Sequence, residues 1–263
     1  MANMYGVDVS HWQLEEGFNP ALVPADFVIV KSSQGNSYKD PTFKKGIESA
    51  IAAGKLVGVY HFADGQSSGK EEARHFLNVV RPYVGNALLV LDWEAKALAK
   101  GTGYALEFSD EVYAQTKVKT ILYCSLSTIN RNWKLYAAKY PDVWPAKYGS
   151  NQIRQGYTAS VPAEGASVSP FKREIIRQYS SHTYLPGFHK RLDANKAYIG
   201  AKQWIKLCQP RIYKAPTTVD EVVELILMGD GEWAVKQDAR RAKLIANGFN
   251  PDEVQAKINA LLK

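Results

Sequence analysis

Short apolar runs recur along this chain at intervals wide enough to hold a helix between them. Tyr5–Val9, Phe27–Lys31, Val57–Phe62, Leu88–Asp92, Thr120–Tyr123, Val143–Ala146 and Ile175–Tyr179 read as strands, each rich in branched or aromatic side chains. From Phe43 to Gly54 the apolar positions instead fall at helical spacing, with Gly54 placed to end the helix. Strands alternating with helices imply parallel pairing, and a series of this length suits closure into a barrel. The stretch from Tyr148 to Pro170 breaks the rhythm: it is rich in Gly, Ser and Pro and predicts loops and strands with little helix. Pro145, inside Val143–Ala146, removes a ladder donor and predicts an edge or irregular strand there.

After Pro210 the pattern changes again. Residues 210–216 form a Pro-flanked junction between a barrel over 1–209 and a three-helix segment over 217–263. Thr218-Val219-Asp220-Glu221 is a capping box that opens the first helix, and Gly229 can close it. The second runs from Trp233 to Asn247 with Gly248 at its end, and Asn250-Pro251-Asp252-Glu253 supplies the N-cap and first turn of the third. Its expected core is Val222, Leu225, Ile226, Leu244, Ile245, Phe249, Val254, Ile258 and Leu261.

Composition narrows the function classes. The chain has 263 residues and a net charge of +7, but residues 215–263 carry six Lys or Arg against eight Asp or Glu, which leaves +9 on the first 214. A basic surface attracts polyanions, yet these cations are scattered and no nucleic-acid-binding motif accompanies them, so no nucleic-acid partner is expected. No apolar run is long enough to span a membrane, and Met1-Ala2-Asn3-Met4 does not begin a classical leader, so neither membrane insertion nor that export route is expected. Cys124 and Cys208 are too few for a disulfide framework and read as reduced thiols, Cys124 in the core. His11 and His61 lack ligand spacing and read as structural, with neither metal nor other cofactor expected. A Ser-His-Asp hydrolase is not the expected class.

The chemistry lies in Leu88-Leu89-Val90-Leu91-Asp92-Trp93-Glu94. Side chains alternate along a strand, so Asp92 and Glu94 emerge on one side about 7 Å apart, at the carboxyl end where barrel active sites gather. Asp8 ends the first strand in the same way. Paired carboxylates suit glycosidic bond cleavage, one protonating the leaving oxygen and the other acting at the anomeric centre. Glu94 is the expected general acid with Asp92 beside it, where mutual repulsion raises one of the two pKa values. A second carboxylate activating water and assistance from a sugar acetamido group oriented by Asp92 both remain open at this level. Aromatics at strand ends (Trp12, Tyr60, Phe62, Tyr123, Trp144, Tyr148 and Tyr179) are candidates for a sugar-stacking groove.

Met4–Gln13, Val57–Phe62, Leu88–Glu94, and Glu174–Tyr179 with the loop carrying Leu192-Asp193-Ala194-Asn195 together resemble glycoside hydrolase family 25, the lysozymes of bacteria and phages. The resemblance spans about residues 4 to 200 and places the family's acidic residues at Asp8, Asp92, Glu94 and Asp193, with Tyr60 and Tyr123 in the cleft. It implies an irregular α/β barrel of the TIM type, five strand–helix units followed by three strands, and cleavage of the β-1,4 bond between N-acetylmuramic acid and N-acetylglucosamine in peptidoglycan. Anionic wall polymers are then the natural partners of the basic surface. The C-terminal segment resembles the cell-wall-binding repeat of a choline-independent pneumococcal phage lysozyme through Arg240, Leu244, Gly248-Phe249, Val254-Gln255 and Asn259–Leu262. Arg240, Gln255 and Asn259 are its expected wall contacts. The implied setting is a phage endolysin held in the host cytoplasm until lysis and then acting at the wall. A bacterial autolysin and a catalytically inactive carbohydrate-binding barrel are the alternatives.

Overall fold

A computed structural model describes residues 3–210, 216–227, 233 and 235–262. Eight strands close a barrel: β1 Met4–Val9, β2 Phe27–Gln34, β3 Leu56–Phe62, β4 Ala87–Asp92, β5 Ile121–Ser125, β6 Asp142–Ala146, β7 Ile176–Leu185 and β8 Phe188–Ala197. Each of the first five is followed by a helix: α1 His11–Glu15, α2 Phe43–Ala52, α3 Gly69–Val80, α4 Gly101–Thr116 and α5 Lys134–Lys139. No α-helix separates the last three strands from one another, which is the predicted sequence of units, and a sixth helix follows β8. Neighbours from β1 to β7 pair in parallel, whereas β8 runs antiparallel to both β7 and β1. The segment Leu192–Asn195, expected as a loop, lies within β8 and completes the barrel.

Alternation along the strands sorts two cores. Val28, Val30, Val57, Val59, Leu89, Leu91, Leu122 and Val143 face outward into the layer under the helices. Phe27, Ile29, Leu88, Val90, Ile121, Tyr123, Trp144 and Ile176 fill the barrel itself. Strands covered on both faces need apolar residues at both parities, hence continuous apolar runs and not alternating ones. Space inside is tight enough that a Cβ at Gly6 would stand 2.4 Å from the Phe27 ring.

The amino ends of the strands are sealed by α6, Ala201–Cys208. Its Trp204 lies 4.7 Å from the Phe27 ring and donates its indole N–H to the Val57 carbonyl at 3.1 Å. The carboxyl ends are left as the open rim. Pro145 sits where β6 changes partners, pairing with Arg173-Glu174 below and with Gln178 only at Ala146. The Val143 carbonyl and the Lys147 N–H bond toward the 175–178 segment, so Pro145, of the same parity, would have turned its missing N–H there too. The irregular loop that follows is pinned by buried cations: Arg177 bonds Glu174 and the carbonyls of Pro162 and Ala163, and Lys196 bonds Glu164 and the Ala159 carbonyl.

Beyond the barrel lie α7 Val219–Leu227, α8 Gln237–Ala246 and α9 Pro251–Leu262. Thr218 and Glu221 form the reciprocal capping bonds, and Asn250 Oδ1 accepts from Asp252 N. Val222, Ile226, Leu244, Val254 and Ile258 are buried as expected, joined by Val223, Leu227 and Trp233. Ile245 is a correction: it is 62 % exposed, because α8 directs Leu244 inward and its neighbour about a quarter turn away. Trp233 precedes α8, which starts at Gln237 and not at Trp233. The junction residues 211–215 and the stop expected at Gly229 lie outside the described residues. Ala138 of α5 packs into this helical core, and Lys119, just before β5, pairs with Glu224.

Candidate active site

Strand parity builds the site. In β2 the inward residues are Phe27, Ile29 and then Lys31, so an apolar face ends in an ammonium at the rim. Asp92 ends β4, and the backbone stays extended through Glu94 (φ −147°, ψ −170°), keeping the two carboxylates on one side as predicted. Trp93 turns the other way to pack edge-on against Trp133 at 4.8 Å. Directly after Glu94, Ala95 takes φ 49°, a left-handed conformation that a residue with a Cβ adopts at some energetic cost.

Asp8 and Asp193 are cross-strand partners on β1 and β8. Gln178 Nε2 donates to both Asp8 oxygens, at 3.0 and 2.9 Å, and Asn195 Nδ2 donates to Oδ2 at 2.7 Å. Burial nevertheless pushes the Asp8 carboxyl up to about 6, with those amides and the Glu94 charge acting in opposite senses. Asp92 is raised well above the usual range by burial and then by Glu94 and Asp8; Asp193 is raised by burial and then by Asp8 and Glu94. Glu94 is raised by burial, with the Lys31 ammonium opposing. Lys31 itself is lowered by burial, against the pull of Asp92, Asp40 and Glu94. It donates to Gln34 Oε1 at 2.8 Å and lies 4.9 Å over the Phe62 ring.

The four predicted carboxylates thus share one electrostatic field at the rim. Tyr60 joins them: its hydroxyl is raised by burial and by Asp8, Asp92 and Asp193. Phe62 is in register with Asp92, as is Tyr123, whose hydroxyl donates to Gln178 Oε1 at 2.7 Å. Tyr148 donates to the same oxygen. Trp144 is buried inside the barrel with its indole N–H on Asn195. Trp12, 69 % exposed, stands on the helix leaving the Asp8 end of β1, against His11 at 4.5 Å.

Tyr179 departs from the expected groove. Gln178 takes the inward parity of β7, so Tyr179 faces outward, fully buried with Val161 and Ala194 and accepting from Thr158 N. His11 bonds Asp40, while His61 bridges Ser33 and Glu72. In the helical segment Arg240 reaches Gln255 at 3.4 Å and Gln255 reaches Asn259 at 2.9 Å, so that trio is brought together. Lys31, Gln178 and Asn195 had no role from sequence. Their only local signal is a polar residue at the inward parity of an apolar strand.

Carboxyl groups driven toward the protonated form at one open barrel rim are equipped for acid-assisted cleavage of a glycosidic bond. The model for glycosyl hydrolases family 25 matches residues 7–188, and the chain belongs to that family. It is 28% identical over 212 residues to Lysozyme M1 of Streptomyces globisporus, an alignment covering 74% of this chain and 68% of that protein. The bacterial lysozyme from Streptomyces coelicolor superimposes with a TM-score of 0.65 at 28% identity, over 79% of this chain and 98% of its own. The catalytic domain of endolysin ply40 from bacteriophage P40 of Listeria monocytogenes shares the fold, with a TM-score of 0.59 at 24% identity over 79% and 98% of the two chains.

Proposed function

We propose that this protein cleaves the β-1,4 bond between N-acetylmuramic acid and N-acetylglucosamine by substrate-assisted catalysis, and that it serves as a phage endolysin. Membership of family 25 makes it a muramidase whose substrate is peptidoglycan. One observation carries the mechanism: Asp92 is buried beside Glu94, yet its Oδ1 accepts no hydrogen bond from any described residue. The enclosed oxygen has no donor from the described residues, so the carboxylate, 8 % exposed at the rim, is not already held by a protein N–H or O–H. In this mechanism Glu94 gives its proton to the glycosidic oxygen as the C1–O bond breaks. The acetamido carbonyl oxygen of the muramic acid closes on C1, its N–H held by Asp92, to form an oxazolinium. Water then adds to C1, leaving its proton on the Glu94 carboxylate, and the acetamide reopens with net retention. Asp8 and Asp193 supply negative charge to the developing cation.

The endolysin reading is supported by the resemblance of the helical segment to a phage wall-binding repeat, with Arg240, Gln255 and Asn259 clustered on it. Anionic wall polymers are proposed to concentrate the basic barrel at the wall, as steering and not as specificity. In this reading the protein waits in the host cytoplasm and reaches the wall when the membrane opens. Mass spectrometry of fragments released from purified walls tests the activity, a new reducing end on muramic acid being the expected product. A reducing end on N-acetylglucosamine would refute it. Cytoplasmic expression that leaves cells intact until the membrane is permeabilised is the expected outcome for an endolysin.

A further inference from the structure

The hydrogen bonds behind the rim share one direction. Tyr123 and Tyr148 donate to Gln178 Oε1, Gln178 Nε2 donates to both oxygens of Asp8, Trp144 donates to Asn195 Oδ1, and Asn195 Nδ2 donates to Asp8. Both chains of donors reach Asp8, with Asn195 Nδ2 lying also 3.5 Å from the Asp193 carbonyl. An ionised carboxylate only accepts, so it dictates which end of the Gln178 amide it faces, and the amide in turn dictates that both tyrosines give their protons inward. A flipped amide would set Oε1 against the anion and Nε2 against two hydroxyl protons. A tyrosine hydroxyl has one proton, so with it committed to Gln178 the oxygen can only accept on its other side. Tyr148, half-buried at the rim, is placed to do so.

We propose, resting on the glycosidase reading, that Gln178 is a positioning residue that holds Asp8 as an anion through both oxygens and converts the Tyr123 and Tyr148 hydroxyls into pure acceptors. The rim is thereby complementary to a sugar that presents N–H or O–H donors and gains positive charge at C1. Asp8 is faced by Asp193 across the strand pair, by Asp92 and Glu94 from the end of β4, and by Tyr60, Tyr123 and Tyr148; Lys31 acts on Asp92 and Glu94. The surrounding charge is thus mainly negative, and the amide donors are what oppose it at Asp8.

The test uses Gln178→Met, which can neither donate nor accept, and Gln178→Glu, which keeps an acceptor for the tyrosines but offers Asp8 a second carboxyl. Asp8 must be ionised to act, so losing its donor moves the acid limb of kcat/KM to higher pH, by about one unit in both variants. The loss should fall on kcat, roughly tenfold or more, because charge at C1 develops only in the transition state. Carbon-13 titration of the Asp8 carboxyl should move in parallel and needs no turnover. An unmoved acid limb and Asp8 titration in either folded variant, or a loss confined to KM, overturns the proposal; if Gln178→Met does not fold, Gln178→Glu decides. Failure of the wild-type protein to release muramic-acid ends would instead refute the glycosidase reading, with the Asp8 titration still deciding the role of Gln178.

Discussion

Asp8 and Asp193 face each other as one cross-strand pair at the point where β8 closes against β1. Like charges so placed are destabilising, and both carboxyls titrate above their usual range, chiefly through burial. An acid whose folded-state pKa is raised costs stability progressively as pH rises from its unfolded pKa to the folded one, and the full cost remains above that. Asp193→Asn should therefore raise the melting temperature at about pH 8, by about 2–4 °C for each ~1 kcal/mol relieved, and leave it unchanged at about pH 3. Activity should fall in the same variant. Thermal melts across this range check the sign; a destabilised variant at high pH would show that the Asp193 charge supports the fold.

Glu94→Gln should fold normally and lose at least about a hundredfold in wall lysis, since the amide keeps the shape but has no proton to give. Lys31 offers a graded version. Its ammonium favours the ionised form of Glu94, so Lys31→Met should raise the Glu94 pKa and carry the alkaline limb of kcat/KM upward, because the acid works only while protonated. A downward shift in that pH profile would sink this assignment.

Asp92→Asn keeps the side chain's outline while removing its charge, and should lose about a hundredfold through misoriented acetamide. Proton NMR of early product should show the β-anomer first in the wild type. The α-anomer appearing first would replace acetamide participation with a single displacement by water.

Deleting 217–263 should lower lysis of intact cells far more than cleavage of soluble fragments, since a tether raises local concentration without altering the rim. Arg240→Ala should reproduce part of that loss, and the isolated segment should sediment with insoluble peptidoglycan. Because Ala138 packs into the helical core and Lys119 pairs with Glu224, truncation should also reduce the melting temperature by a few degrees. Glu224→Gln separates the effects: it weakens the seam near the amino end of β5, away from the rim, and should leave wall sedimentation intact.

Much of this molecule was legible one residue at a time. Apolar runs marked the barrel strands, local extension alone put Asp92 and Glu94 on one side, and Thr218 with Glu221 announced the start of α7, because each depends on neighbours within a turn or a pleat. Closure of the barrel decided the rest. Asp193 belongs to a strand running against the others, so it reaches the rim from within β8 and not from a carboxyl end, which made its segment look like a loop. Gln178 and Tyr179 are adjacent and both polar-tipped, yet one lies on Asp8 and the other under Val161. Alternation says only that they oppose each other; which of them points inward is set by the pairing of β7 with β6 and β8. Lys31 likewise gains its meaning from Asp92 and Glu94, 61 and 63 residues away in the chain and brought beside it by the sheet's curvature.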